Sequence, residues 1–207
     1  MKKIAPSKTD TALLEPFSGL SIAQIFVPRT QAEFSAATQE ILTAGHVGFD
    51  TESKPVFAAG VASDGPHIAQ FALHDKAFIF QLSHSACREP LMRIFASEDV
   101  LKTGFGLKSD LGQIQAKFGI KLRAVLDLNQ VFSRQGYSKF MGVRAAVGAV
   151  LHQRFHKSKH TTTSNWALAQ LTPKQLLYAA NDAYAALKVF EALKLAKGEW
   201  EVADGNG

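Results

Sequence analysis

The sequence predicts one α/β domain in which helices cover a mixed sheet. Three observations predict it. Three strand-length runs follow one another between residues 46 and 82. From residue 88 helical and strand-like segments alternate. A long helical pattern then opens at Thr172-Pro173, a capping residue followed by the residue best tolerated at a first helical position. A meander followed by crossover strands gives both antiparallel and parallel pairs in one sheet. The 207 residues, 46% of them hydrophobic, suffice for one complete core rather than two small ones.

Residues 1–20 carry no sustained period and are expected to be a flexible arm. Residues 22–27 suit a short strand. Thr30 is a cap for a helix over 32–44, stopped by Gly45. Val47-Gly48-Phe49-Asp50-Thr51-Glu52 alternates as a strand, and 67–73 and 77–82 form two more, separated by His74-Asp75. A helix over 88–96, a strand over 101–105, a helix over 108–118 stopped by Gly119 and a strand over 124–128 follow. Residues 142–155 read as helix and the polar run 156–165 as loop. The last helix runs from Pro173 to about residue 197, which leaves 201–207 as a tail and 21–200 as a single domain.

The charge of +5 and a pI near 9.3 are compatible with an anionic partner without establishing one. A single cysteine, Cys87, excludes an intramolecular disulfide and a thiolate zinc site built from cysteines. The basic start Met1-Lys2-Lys3 is followed by Pro6 and Asp10 rather than an apolar core, and no run is long enough to span a bilayer. The expectation is a cytoplasmic protein with no membrane partner.

Asp50 and Glu52 lie two apart on a strand, so both carboxylates point to one face. Carboxylates that close raise each other's pKa unless a cation neutralises them, and all-oxygen ligands suit Mg²⁺ or Mn²⁺. Taken alone, Asp-x-Glu at a strand end is more often a solvated pair. Tyr178 and Asp182 lie four apart on the long helix and share a face. Asp110 follows a Gly104-to-Gly106 turn into a helix, a place where capping alone would favour it.

Together, Asp50-Thr51-Glu52, the turn from Gly104 to Asp110, and Tyr178-Ala179-Ala180-Asn181-Asp182 resemble the motifs of the DEDD exonuclease superfamily, tyrosine-containing branch. Ser164-Asn165-Trp166 before Leu171-Thr172-Pro173-Lys174-Gln175 is similar to Werner-type exonuclease domains and ribonuclease D. The resemblance spans roughly residues 46–193. One departure is Ser53-Lys54-Pro55, where Werner-type domains carry an aromatic and prolines. The resemblance implies a ribonuclease H-like fold with a mixed five-stranded sheet flanked by helices. It further implies 3′–5′ hydrolysis of phosphodiesters at nucleic-acid 3′ ends with two divalent cations, Mg²⁺ or Mn²⁺, about 3.5–4 Å apart. Asp50 would bridge both cations, Glu52 and Asp182 complete one site, Asp110 support the other, and Tyr178 hold the attacking water. The residues do not decide the sugar. DNA is favoured, and a ribonuclease D-like exoribonuclease, a silent nucleic-acid-binding module of the same fold, and a small-ester phosphatase are the alternatives.

Between Asp127 and Asp182 the chain has no Asp or Glu but holds Arg134, Lys139, Arg144, Arg154, Lys157, Lys159 and Lys174. Positive charge just before the last motif suits a phosphate backbone, so Arg154, Lys157, Lys159, Asn165 and Trp166 are expected nucleic-acid contacts. Trp166 can stack on a base or fill the core, with equal claims. His152, His156 and His160 recur every fourth position, but the surrounding cations disfavour zinc.

Overall fold

The computed structural model describes residues 2–56, 60, 63–137 and 140–195. Six strands form one mixed sheet: β1 (Ile25–Phe26), β2 (His46–Glu52), β3 (Ile68–Ala72), β4 (Ala77–Gln81), β5 (Leu101–Gly104) and β6 (Val125–Asp127). Their spatial order is β1-β4-β3-β2-β5-β6. The β2–β3 and β3–β4 pairs are antiparallel, as the meander predicts, and β1–β4, β2–β5 and β5–β6 are parallel. The sheet therefore has six strands rather than five. The additional one is the two-residue β1 on the outer edge of β4.

The helices are α1 (Gln31–Thr43), α2 (Arg88–Ala96), α3 (Lys108–Phe118), α4 (Leu128–Arg134), α5 (Val143–Ala146), α6 (Lys159–Thr162) and α7 (Pro173–Leu193). Thr30 caps α1 by accepting from Glu33 N, while the Glu33 carboxylate accepts from Thr30 N. Gly119 ends α3 at φ 76°. Thr172 and Gln175 build the same reciprocal box at the start of α7, with Pro173 behind the cap.

Period two along β2 divides its side chains between the faces. Val47 and Phe49 enter a core shared with α1, α2 and α3, where Phe49, Phe71 and Phe95 touch one another. Gly48, Asp50 and Glu52 alternate onto the other face, against which α7 packs. Ala179, Ala180 and Ala183 of α7 join Ile68 and Ile79 of the sheet in a second core there. No described helix is long and apolar enough to cross a membrane.

Several stretches differ from expectation. Of the strand expected over 22–27 only Ile25–Phe26 forms, and Ile22–Gln24 before it is a 3-10 helical turn. The helix expected over 142–155 consists of α5 and a π-helical turn (Val147–Leu151), and His152 at φ 54° ends it. Residues 153–155 then run beside the amino-terminal segment, because Phe155 is buried and its ring meets Phe17. The expected loop 156–165 contains α6, which Ser158 caps. Residues 2–20, expected as a flexible arm, are tied to the body. Arg154 N donates to Glu15 O, Phe17 N to Arg154 O, and Leu20 N to Asn181 Oδ1. These contacts are long-range and leave no periodic trace in the sequence. The last helix ends at Leu193, where Lys194 turns left-handed, and the expected tail 201–207 lies outside the described residues.

Candidate active site

Two close backbone approaches bring the acidic residues together. On β2, a Cβ at Gly48 would lie 1.9 Å from the carbonyl oxygen of Ala183, so the absence of a side chain lets α7 rest on the strand. Asp182, adjacent to that contact, then faces Asp50. At the end of β5, a Cβ at Gly104 would lie 2.4 Å from Phe49 O. Gly106, at φ 70°, turns the chain into α3. Asp127 fixes this turn by accepting from Gly106 N and Leu107 N, each at 3.0 Å, while also capping α4 through Asn129 N.

Asp50, Glu52 and Asp182 form the cluster that results. One oxygen from each lies within 4.8 Å of the others. Asp182 is 5% exposed, and its Oδ1 has no hydrogen-bond partner among the described residues. Burial, and then the neighbouring Asp110 and Asp182 charges, push Asp50 well above the usual carboxylate range. Burial and then Asp50 push Glu52 up to about 10. Burial raises Asp182 as well, against the pull of Lys157. Asp110 approaches from the first turn of α3, on the opposite face of the sheet. The Thr51 hydroxyl donates to it around the end of β2, and burial raises its pKa too. All four carboxylates of the sequence motifs therefore converge, three as one tight group and the fourth offset behind Thr51.

Tyr178 stands one turn before Asp182. Its hydroxyl shares a hydrogen bond with Thr162 Oγ1 at 2.8 Å, and its ring meets Trp166 at 5.8 Å between centroids. Burial and then the Asp182 charge push its pKa upward, so the phenol keeps its proton at neutral pH. The Ser-Asn-Trp segment is clamped to the start of α7 by Gln175, whose Nε2 donates to Ser164 Oγ and Asn165 O.

The expected nucleic-acid contacts separate. Trp166 is 1% exposed and its indole donates to Thr162 O, so it supports Tyr178 from the core and offers no face to a base. Lys157 turns inward: its Nζ lies 2.6 Å from Asp182 Oδ2 and 5.3 Å from the Tyr178 ring centroid. Arg154 is exposed, but its guanidinium donates to Ala12 O. Lys159 on α6 and Asn165 are exposed. His152, His156 and His160 share no helical face, because the helix stops at Leu151. Lys139 lies outside the described residues. Gly48, Thr51 and Asp127 were missed by sequence reasoning. Only Asp127 left a local signal, that of an acid preceding a helix.

The cluster suits a hard cation. Its donors are all carboxylate oxygens, one of them buried and unpartnered, and a cleft of about 130 Å³ opens between Asp50, Lys157 and Asp182. A profile of the 3′–5′ exonuclease family matches residues 25–196, which includes the whole cluster. The chain belongs to the 3′–5′ exonuclease family. A mouse relative, the bifunctional 3′–5′ exonuclease/ATP-dependent helicase WRN, is 30% identical over 71% of this chain and 11% of its own length. An Arabidopsis thaliana 3′–5′ exonuclease is 25% identical over 72% of this chain and 52% of its own. The chain thus spans about half or less of these two family members. Among solved structures, the Aedes aegypti Nibbler EXO domain superposes with a TM-score of 0.70 at 23% identity, over 84% of this chain and 89% of that one. Escherichia coli RNase D gives 0.71 at 16% identity, over 82% and 44%. These two likenesses speak for the fold, which is the ribonuclease H-like fold of the family.

Proposed function

We propose that this domain removes nucleotides from nucleic-acid 3′ ends by a two-metal-ion hydrolysis, with DNA as the favoured substrate. The observation that carries the reading is the convergence of Asp50, Glu52 and Asp182 within 4.8 Å, one turn from a protonated tyrosine. Asp50, Glu52 and Asp182 would hold one divalent cation, and Asp110 with Asp50 the second. Bound there, Mg²⁺ or Mn²⁺ would offset phosphate charge, activate water and stabilise the leaving 3′ oxygen.

The chain's own groups supply position and electrostatics. Tyr178, protonated and anchored by Thr162 and Trp166, orients the attacking water as a donor or acceptor rather than as a base. Asp127 keeps the turn before Asp110 rigid. A cavity of about 850 Å³ opens beside Tyr178 and Asp182, bordered by Phe17, Phe155, His156 and Lys174. It gives the substrate strand an apolar and basic wall next to the cluster.

The DNA reading comes from the resemblance of the motifs to Werner-type exonuclease domains. The mouse relative at 30% identity, a 3′–5′ exonuclease and helicase by name, is in keeping with that resemblance. A second reading, an exoribonuclease, is favoured by one observation: a Trypanosoma brucei RNase D complex with RNA U12 shares the fold with a TM-score of 0.73. Matched 5′-labelled DNA and RNA oligonucleotides incubated with Mg²⁺ or Mn²⁺ test both. Laddering from the 3′ end is expected, faster on DNA. Faster laddering on RNA would replace the substrate reading, and binding without laddering would sink the enzyme reading.

A further inference from the structure

We propose that Lys157 is the resident counter-ion of the acidic site, and that it yields Asp182 to the divalent cation when the cation binds. This rests on the metal-site reading above. The Lys157 ammonium sits 2.6 Å from Asp182 Oδ2, within a group whose three carboxylates lie within 4.8 Å of one another. An ammonium and a dication drawn to the same oxygens repel each other strongly in a partly buried site. One of the two must give way, and the geometry decides which.

Asp182 cannot move. It is fixed in the middle of α7, with its side chain 3% exposed. Lys157 can. Its side chain is 37% exposed, it precedes α6 outside any helix, and its four-carbon stem has freely rotating bonds. Its exposed side opens toward solvent next to the cavity of about 850 Å³ bordered by His156, Ser158 and Tyr178, which gives the ammonium somewhere to go outside the cation's cleft. Its contact with the Tyr178 ring face, 5.3 Å from the centroid, keeps the swing short. Lys157 therefore stays beside the water-orienting tyrosine when it leaves Asp182. There it faces the region where a substrate phosphate must approach. Metal loading then does two things at once: it completes the carboxylate site and frees a positive charge for the phosphate.

The test follows metal uptake and lysine accessibility, without turnover. Mn²⁺ is titrated into the wild-type protein and its uptake read by electron paramagnetic resonance. Reductive methylation of lysines is then mapped by mass spectrometry in EDTA and in Mn²⁺. The expected result is slow labelling of Lys157 in EDTA and several-fold faster labelling in Mn²⁺, while exposed Lys8 and Lys121 stay constant. In Lys157→Met, Mn²⁺ should bind about tenfold more tightly, because the competing charge is gone. Either unchanged labelling, or an unchanged or weakened affinity in the folded variant, overturns the proposal. If Lys157→Met does not fold, wild-type labelling alone decides. A wild-type protein that takes up no Mn²⁺ overturns the metal-site reading and this proposal with it. Uptake without a change at Lys157 overturns only the proposal.

Discussion

Gly48 of β2 lies against the backbone carbonyl of Ala183 in α7, so closely that a Cβ would stand 1.9 Å from the oxygen. Asp50 and Asp182 are near neighbours of these two residues, and their meeting depends on this contact. Gly48→Ala must push the helix off the strand. A destabilisation of about 3 kcal/mol is expected, the upper range for overpacking. Mn²⁺ affinity should fall with it, because the two carboxylates separate. Chemical denaturation and metal titration measure the two effects. A variant of normal stability and affinity would show that the approach is not needed.

The carboxylates repel one another, so neutralising one should stop turnover without harming the fold. Asp50→Asn is expected to lower turnover by on the order of 10³-fold or more, as for loss of a group essential to charge stabilisation. Glu52→Gln tests the same repulsion through pH. The folded pKa of Glu52 is raised to about 10 from 4.5, so in EDTA the folded wild type holds a proton that the unfolded chain has lost. Wild-type stability should therefore fall as pH rises between those values. Glu52→Gln escapes this loss and should gain on the wild type steadily from pH 5 to pH 9. A pH-independent difference between the two in EDTA would contradict the raised pKa.

Lys102 carries a shift of the opposite sign on the far side of the sheet. It is buried, its Nζ donates to Ile94 O and Ser97 O at the end of α2, and burial lowers its pKa to about 8. Below that value the folded chain bears a desolvated ammonium, and this penalty is relieved as pH rises from 8 toward 10.5. Relative to Lys102→Met, the wild type should thus gain stability over that window. Urea denaturation of both proteins at pH 7 and pH 10 measures it, and an unchanged difference would mean that the ammonium is not desolvated.

What was legible in the sequence was local. Thr30, Thr172 with Pro173, and Gly119 announce helix ends through chemistry within a few residues. The alternation from Val47 to Glu52 announces the strand and the face of its acids. Illegible features depend on distant partners. The ion pair of Lys157 with Asp182 leaves no trace in the local sequence, because the acid lies 25 residues further along the chain. A lone tryptophan has no period, so the local sequence does not choose between core and base for Trp166. Phe17 and Leu20 are held by Phe155 and Asn181, which no local pattern foretells. His152 breaks a helical pattern at φ 54° although neither glycine nor proline marks the place.

Tyr178 separates a catalytic role from a structural one in a single substitution. Its ring packs on Trp166 and carries the Lys157 ammonium on its face, and Tyr178→Phe keeps both contacts. The change removes the hydroxyl and its 2.8 Å bond to Thr162, which is exposed and can turn to water. Stability should therefore change by less than about 1 kcal/mol, the scale of one replaceable hydrogen bond. Metal and substrate affinity should hold, since neither carboxylates nor basic groups are altered. Turnover should drop by about 10²-fold or more, the scale for loss of one positioned group. Because the phenol keeps its proton at neutral pH, it acts through orientation, and no limb of the wild-type rate–pH profile near neutrality should belong to it. Melting temperature, oligonucleotide affinity and single-turnover rate on this variant give the answer. A lowered melting temperature with the rate per folded molecule intact would assign Tyr178 to packing alone.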